Sequence, residues 1–332
     1  MLSSGLIGIH IRRKGQLLFA GALFLLVVGV LVLRPGLAQR ALIQEQNVTL
    51  DVAVIDRDTE AYGSLTKDEF AVYEDGVKQQ VISLTAQDAP FSLGIAIDAS
   101  GSMRAQLPLI QKAAQDVISQ MGSSDEAFVM AFTSGSELMQ DFTGNQRDLA
   151  NAVGRIYTSG GTSLLDAVVA ASNYVHKKGK NRRKALLFIT DGVEKGSSIN
   201  EDKALTALIE NQAQSYFVCL PVQVYRPFIK DKTSLKPVGL LDRLARSTGG
   251  QSFYLGGAEQ SSPTAEKLIG SLRHQYEVTY ASTNNKHGDK MRKVRVVISP
   301  KDGRQLNVIT RQGYYGPDHK RVSEQGMDKE KG

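Results

Sequence analysis

The order of apolar and polar residues divides the chain into a central α/β region flanked by two β regions. Between residues 46 and 88, apolar and polar positions alternate as in half-buried strands, and Asp75-Gly76 predicts a tight hairpin. At residues 91–97 a continuous apolar run replaces the alternation, which predicts a strand buried on both faces. The first flank is therefore expected to be all β, and a parallel sheet is expected to begin after Pro90.

Strands and helices alternate through the central region. Predicted strands occupy 91–97, 126–132, 136–142, 184–190, 215–224 and 251–255, and predicted helices lie near 104–121, 146–157, 163–178, 201–213, 238–247 and 264–274. This alternation predicts a doubly wound, mainly parallel α/β sheet. The strand at 136–142 follows its predecessor after a short turn, so we expect it to be an antiparallel edge.

Strand patterns return after residue 274, at 275–282, 293–299 and 305–311. Each flank alone has too few strands for a sheet sandwich, so we expect both to form one small β-sandwich-like domain, with the α/β region inserted; two independent β appendages are the alternative. The predicted boundaries are a signal peptide or transmembrane anchor (1–39), the N-terminal segment of the β domain (40–89), the α/β domain (90–258), a connecting helix with the C-terminal segment of the β domain (259–316), and a polar tail (317–332).

The basic charge is confined to the N-terminal segment of the chain. The formal net charge is +6, yet residues 1–40 contain five basic and no acidic side chains, which leaves 35 basic against 34 acidic residues in the rest. A nearly neutral globular region does not favour nucleic-acid binding.

This N-terminal segment predicts a hydrophobic helix. Arg12-Arg13-Lys14 precedes the uncharged stretch Leu17–Leu33, and small residues follow up to Ala38. That pattern is typical of a secretory signal cleaved after Ala38. The apolar stretch also approaches the length of a bilayer span, so an uncleaved transmembrane anchor is the alternative. Both interpretations place residues 40–332 outside the cytoplasm, either secreted or periplasmic or anchored to the membrane.

Polar residues follow the buried strands where a doubly wound sheet binds its ligands. Asp98, Ser100 and Ser102 follow the strand at 91–97, Asp191 follows the strand at 184–190, and Thr162 precedes a predicted helix. All five offer hard oxygen atoms, which suit Mg²⁺, with Mn²⁺ and Ca²⁺ as alternatives. The five histidines are scattered and Cys219 is the only cysteine, so neither zinc nor a disulfide within the chain is expected.

Each component of this pattern also has a purely structural interpretation. Ser100 and Ser102 could cap the helix that begins near Met103, and Thr162-Ser163 could cap the helix that follows. Asp191 before a glycine is common in ordinary turns. The combination of all five in this order favours a metal site.

The same residues carry a resemblance to a known family. Asp98-x-Ser100-x-Ser102, Thr162 in "GGTSLLDA" and Asp191 in "ITDG" resemble the metal-ion-dependent adhesion site of von Willebrand factor type A domains, over about residues 90–255. The flanks resemble an exported bacterial group of type A-related proteins, best described from acidobacteria.

The resemblance implies a cation-dependent protein-binding module with adhesion or assembly roles. It implies that the Ser100 and Ser102 hydroxyls bind the ion directly and that Thr162 does so in a ligand-engaged state. Asp98 and Asp191 would act largely through water or hydrogen bonds. A partner's Asp or Glu carboxylate would complete the coordination of the ion, and no catalytic activity is implied.

Each enzymatic interpretation requires a residue that the chain does not have. An aspartyl phosphatase would have Asp at position 100, a serine hydrolase elbow would have Gly at position 98, and a phosphate-binding loop would have Gly-Lys-Ser/Thr. A structural scaffold with a degenerate site, and less favoured a metal-dependent hydrolase, remain as alternatives.

The stretch at 176–184 contains six Lys or Arg residues among nine. A solvated loop that complements a helix C-terminus is the simpler interpretation. A docking patch for an anionic partner is the alternative.

Overall fold

The computed structural model describes residues 46–57, 64–220, 236–285, 289–317 and 319. The predicted N-terminal helix and nearly all of the predicted polar tail lie outside these residues. Among the helices that are described, none is long and apolar enough to cross a membrane.

The central region contains a six-stranded sheet. Its strands are β4 (Phe91–Asp98), β5 (Glu126–Phe132), β6 (Ser136–Thr143), β7 (Arg183–Thr190), β8 (Ala213–Cys219) and β9 (Ser252–Tyr254), in the order β6-β5-β4-β7-β8-β9. The pairs from β5 to β9 are parallel, and β6 runs antiparallel to β5, which confirms the predicted antiparallel edge. Every residue of β4 is buried, as its continuous apolar run predicted.

Helices cover both faces of this sheet. They are α1 (Leu107–Ser119), α2 (Gln146–Gly154), α3 (Leu164–Lys178), α4 (Glu201–Glu210), α5 (Lys236–Thr248) and α6 (Ser261–Arg273). Two hydrophobic cores result, one containing buried residues of α1, α2 and α6, and the other containing residues of α3, α4 and α5. A sheet with a core on each face is the doubly wound α/β arrangement that the sequence predicted.

The remaining strands form a second sheet of seven. They are β1 (Gln46–Asp56), β2 (Phe70–Glu74), β3 (Val77–Asp88), β10 (His274–Ser282), β11 (Arg292–Ile298), β12 (Leu306–Ile309) and β13 (Gly313–Tyr314), in the order β12-β1-β10-β3-β2-β11-β13. Strands from both flanks thus lie side by side in one sheet, which we call the β domain. Side chains of β1, β2, β10 and β11 share one core, in which the Phe70 and Tyr276 rings meet edge to face at 5.3 Å.

The chain leaves and re-enters the β domain at neighbouring points. Asp88, the last residue of β3, pairs in register with His274, the first residue of β10, and their side chains lie 2.6 Å apart. Helix α6 ends at Arg273, so no linker separates the α/β region from the returning strand.

Two residues of the basic stretch at 176–184 join the two regions. Arg182 contacts Asp51 of β1 and Glu277 of β10, at 2.7 and 2.9 Å. The buried Arg183 lies 3.5 Å from Asp51 of β1 and donates to the carbonyls of Leu272 and Arg273 at the C-terminus of α6. These two residues therefore have structural roles, which the sequence pattern alone did not separate from those of their neighbours.

Candidate metal centre

The loop after β4 begins with a carboxylate that the fold holds rigidly. Asp98 is fully buried. One oxygen accepts the Ser100 backbone N–H at 3.0 Å, and the other accepts the Thr190 hydroxyl at 2.7 Å. The Thr190 hydroxyl in turn accepts the backbone N–H of Gly192 at 3.0 Å. Asp98 thus ties the loop after β4 to the loop after β7.

Two hydroxyls and a second carboxylate extend this arrangement. The Oγ atoms of Ser100 and Ser102 lie 3.1 Å apart, and Ser102 donates to Asp191 Oδ2 at 3.2 Å. Octahedral Mg²⁺ with ligands at about 2.1 Å separates adjacent ligand oxygens by about 3 Å. The spacing of these oxygens and their hard-donor chemistry therefore fit a small divalent cation.

The loop that carries Thr162 contacts the loop after β4 through its backbone. The Gly160 carbonyl accepts the Gly101 N–H at 3.2 Å, and Ser159 N–H donates to the Ala99 carbonyl at 2.8 Å. Gly160 has φ +67°, a conformation that side chains rarely adopt. These bonds join the Thr162 loop to the Ser100–Ser102 loop. Hydrogen bonds link the other four candidates to one another, whereas among the described residues none joins the Thr162 side chain to them.

The capping interpretation of the serines receives no support from the geometry. Ser100 occupies the N-cap position of a 3₁₀ turn at Gly101–Gln106, and Ser163 occupies that of α3, yet neither side chain makes a capping hydrogen bond. The hydroxyl of Ser100 faces Ser102 instead. Asp191 does form a turn, because its Oδ1 accepts the Val193 N–H at 3.0 Å, but its Oδ2 remains directed at Ser102.

Two residues that shape the site were not predicted from the sequence. Thr190 holds Asp98, and its place directly before Asp191 at a strand end was the available signal. Glu194 accepts the Leu165 N–H at the start of α3 and the Gly196 and Ser197 N–H groups of the loop after β7. It thereby supplies the cap that Ser163 does not. The nearby Asp166 accepts the Ser198 N–H and so closes the same loop from the helix side.

The electrostatics of the site favour a cation. Burial raises the pKa of Asp98, and the nearby Asp191 charge raises it further, while hydrogen bonds from Ser100 and Thr190 lower it. No ion pair within the described residues involves either carboxylate. A cation beside them would favour the charged form that burial disfavours.

The site is unusual for a metal centre in its few charged ligands. Within the described residues, no group of three or more His, Cys, Asp or Glu side chains could hold a metal ion. The candidate centre has two carboxylates and would depend on hydroxyl oxygens for its remaining protein ligands.

Comparison with known families decides the kind of domain that carries this site. Residues 93–194 match the model of the von Willebrand factor type A domain. The chain contains a von Willebrand factor type A domain. The matched residues run from β4 to the loop after β7, so they include all five candidate ligands of the type A domain.

Solved structures offer similar folds at low identity. An aerotolerance-related membrane protein from Bacteroides fragilis is 16% identical, with a TM-score of 0.44 over 54% of this chain and 98% of its own. BatB from Bacteroides thetaiotaomicron is 16% identical, with a TM-score of 0.43 over 55% and 98%. A von Willebrand factor type A protein from Catenulispora acidiphila is 14% identical, with a TM-score of 0.48 over 83% and 76%. No curated protein matches the chain.

Proposed function

We propose that the type A domain binds partner proteins through a divalent cation and has no catalytic activity. The cation would be Mg²⁺, with Mn²⁺ or Ca²⁺ as alternatives, at Asp98, Ser100, Ser102, Thr162 and Asp191. The most direct support is the spacing of the oxygen atoms. The Ser100 and Ser102 hydroxyls, and likewise Ser102 and Asp191, are separated by about the distance between adjacent ligands of octahedral Mg²⁺.

The donor set explains why such an ion would bind a partner. Hydroxyl ligands carry no charge, so Ser100 and Ser102 would neutralise little of the charge of a divalent ion. The ion would keep a strong affinity for an added anion. An Asp or Glu carboxylate of the partner would supply this anion, which is the basis of an adhesion or assembly role.

The N-terminal sequence supports a location outside the cytoplasm. The basic flank and the apolar stretch at Leu17–Leu33 would direct export, with cleavage after Ala38 or retention as an anchor. N-terminal sequencing of the mature protein distinguishes the two. A start at Gln39 demonstrates cleavage, and an intact N-terminus demonstrates the anchor.

Metal titration tests the site. We expect calorimetry to show one Mg²⁺ or Mn²⁺ site in the wild type, and Asp98→Ala and Asp191→Ala to abolish it. Asp148→Ala is the matched control, because Asp148 is an exposed aspartate on α2 that lies outside the site. Unchanged metal affinity in both site variants contradicts the assignment.

Partner capture tests the role of the ion. We expect proteins from the native cell envelope to be retained by the wild type with Mg²⁺, and to be lost with chelator or with Asp191→Ala. Equal capture with and without chelator favours instead the metal-independent scaffold.

A further inference from the structure

A cleft of about 980 Å³ separates the type A domain from the β domain, on the side away from β6. Residues of α5, β9 and α6 line one wall, and residues of β1 and β12 line the other. None of the five candidate metal ligands lines this cleft.

Both walls of the cleft include the open edge of a sheet. Strand β9 is the last strand of the six-stranded sheet, and β12 is the first strand of the seven-stranded sheet. Among the described strands, β9 pairs with β8 alone and β12 with β1 alone. Open edges present main-chain N–H and C=O groups that another strand can bind.

The register of β12 identifies which of its groups face outward. Arg57 N–H donates to the Gln305 carbonyl, so the Arg57/Gln305 pair exchanges hydrogen bonds. In an antiparallel ladder such pairs alternate with pairs that exchange none. Since Val54 lies opposite Val308, the main-chain groups of Val308 point away from β1. Val308 lines the cleft.

The same reasoning applies to β9. Phe217 N–H donates to the Gln251 carbonyl, and Leu255 N–H donates to the Cys219 carbonyl. In a parallel ladder alternate residues bond to a given neighbour, so Gln251, Phe253 and Leu255 face β8. The main-chain groups of Ser252, which lines the cleft, therefore face away from β8.

Side chains in the cleft also lack partners. The hydroxyls of Ser252 and Thr310 are buried and make no hydrogen bond with any described residue, and both residues line the cleft. Buried polar groups without partners are uncommon in native proteins. Apolar side chains such as Phe253 and Ile309 line the cleft, so its apolar surface adjoins two buried hydroxyls without partners.

We propose that this cleft binds an extended segment of another polypeptide as an added β-strand, with main-chain hydrogen bonds to Val308 on one wall and Ser252 on the other. Only a peptide backbone offers alternating donors and acceptors along two opposite edges. Strands β9 and β12 are three and four residues long, so a segment of about four to six residues matches them at about 3.3 Å per residue. Edges this short bury too little surface for a stable dimer with a second copy of the chain.

Peptide binding to the full chain tests this inference. The probe is a library of N-acetylated, C-amidated hexapeptides in which β-branched and polar residues alternate. We expect binding that is unaffected by chelator, which separates it from the metal centre. Val308→Pro removes only the outward N–H and should weaken binding about ten-fold, the loss of one hydrogen bond. Leu138→Pro is the matched control, because the pairing of Thr133 with Gly135 places the Leu138 N–H on the open edge of β6. It should bind peptide like the wild type.

Two further measurements keep the inference testable if Val308→Pro folds poorly. N-methylation of alternate amides in the best hexapeptide should abolish binding, because the side chains stay the same while donors are lost. Hydrogen exchange should slow on binding in segments 304–312 and 250–256 and stay unchanged at 136–143. The inference is overturned if no hexapeptide binds, if N-methylated peptides bind equally, or if protection appears elsewhere.

Discussion

Two buried carboxylates, one in each region, show how differently the same group can be accommodated. Glu74 in the β domain accepts the Tyr280 and Tyr314 hydroxyls on one oxygen and the Ser282 hydroxyl on the other, and Arg292 lies 3.7 Å away. Asp98 in the type A domain has two hydrogen bonds and a neighbouring aspartate, and no cation among the described residues contacts it. Glu74 is neutralised by the chain itself, whereas Asp98, in the proposed function, would be neutralised by an ion from solution.

Removing the carboxylate that is satisfied should have the largest effect. Glu74→Ala removes the carboxylate beside the buried Arg292 and the acceptor of two tyrosine hydroxyls, so we expect the free energy of unfolding to fall by about 3–5 kcal/mol. Urea denaturation with chelator measures this. Glu74→Gln keeps an acceptor and should lose less. A loss below about 1 kcal/mol for Glu74→Ala would show that the network contributes little beyond what a surface pair does.

Adding Mg²⁺ should stabilise the protein through the proposed site of the type A domain alone. At one hundred times its dissociation constant, Mg²⁺ should raise the free energy of unfolding by about 2.7 kcal/mol. Denaturation with and without Mg²⁺ measures the increment. Asp191→Ala should lose the increment entirely, while Glu74→Gln should keep it, because Glu74 belongs to the β domain. An increment that survives in Asp191→Ala points to a different metal site.

Neutralising Asp98 should reverse the usual sign of a buried-residue mutation. In chelator, Asp98→Asn removes an uncompensated buried charge, so we expect it to raise the free energy of unfolding by about 1 kcal/mol while abolishing Mg²⁺ binding. The Asn side chain keeps the size of Asp98 and can still accept one of its two hydrogen bonds. Lower stability than wild type in chelator would mean that the hydrogen bonds outweigh the charge.

The pH dependence of the same pair of proteins provides a sharper form of the test. The folded-state pKa of Asp98 is raised above its ordinary value of 3.8, chiefly by burial. The folded protein therefore binds a proton at Asp98 more readily than the unfolded chain does. The charged Asp98 destabilises the folded protein above the raised pKa, and this destabilisation is lost as the pH falls through that pKa towards 3.8. The stability advantage of Asp98→Asn in chelator should shrink over that range, as measured by denaturation at each pH.

The last prediction concerns reactivity rather than stability, at another acid on the same edge of the sheet. Cys219 ends β8, and burial, with the nearby Asp242 charge, raises the pKa of its thiol to about 12. With so little thiolate present at pH 8, we expect alkylation in the folded protein to be about a thousand-fold slower than after unfolding. Mg²⁺ should leave this rate unchanged, because Cys219 is not a candidate ligand. Fast alkylation of Cys219 in the folded protein would show that water reaches this edge of the sheet. That result would contradict the burial that raises the pKa of Asp98.

Periodicity in the sequence was sufficient for most of the architecture. The buried run of β4, the antiparallel β6 and the alternation of helices and strands all follow from side-chain burial, which the pattern of apolar residues records directly. The two-residue strand β13 was missed, because so short a segment has no detectable period. The predicted domain boundaries and the membership of the exported bacterial group remain predictions.

The site was only partly predictable. Asp98, Ser100, Ser102 and Asp191 lie at strand ends, where a doubly wound sheet collects polar residues, and the structure brings them together. Thr190 and Glu194 act through hydrogen bonds to residues 92 and 29 positions away, and such contacts leave no periodic signal in the sequence. The stretch at 176–184 illustrates the same limit, since only the fold separates Arg182 and Arg183 from the other cations.

The pairing of Asp88 with His274 has a consequence for how this chain can be rearranged. Because β3 and β10 are antiparallel neighbours, residues 89–273 connect two strands that a short hairpin turn could also connect. A type A domain could enter or leave the gene at this point without changing the order of strands in the host sheet. A two-residue Asn-Gly turn in its place would leave β2, β3 and β10 as a continuous meander within the sheet, so the β domain can be treated as a carrier into which other binding modules could be spliced.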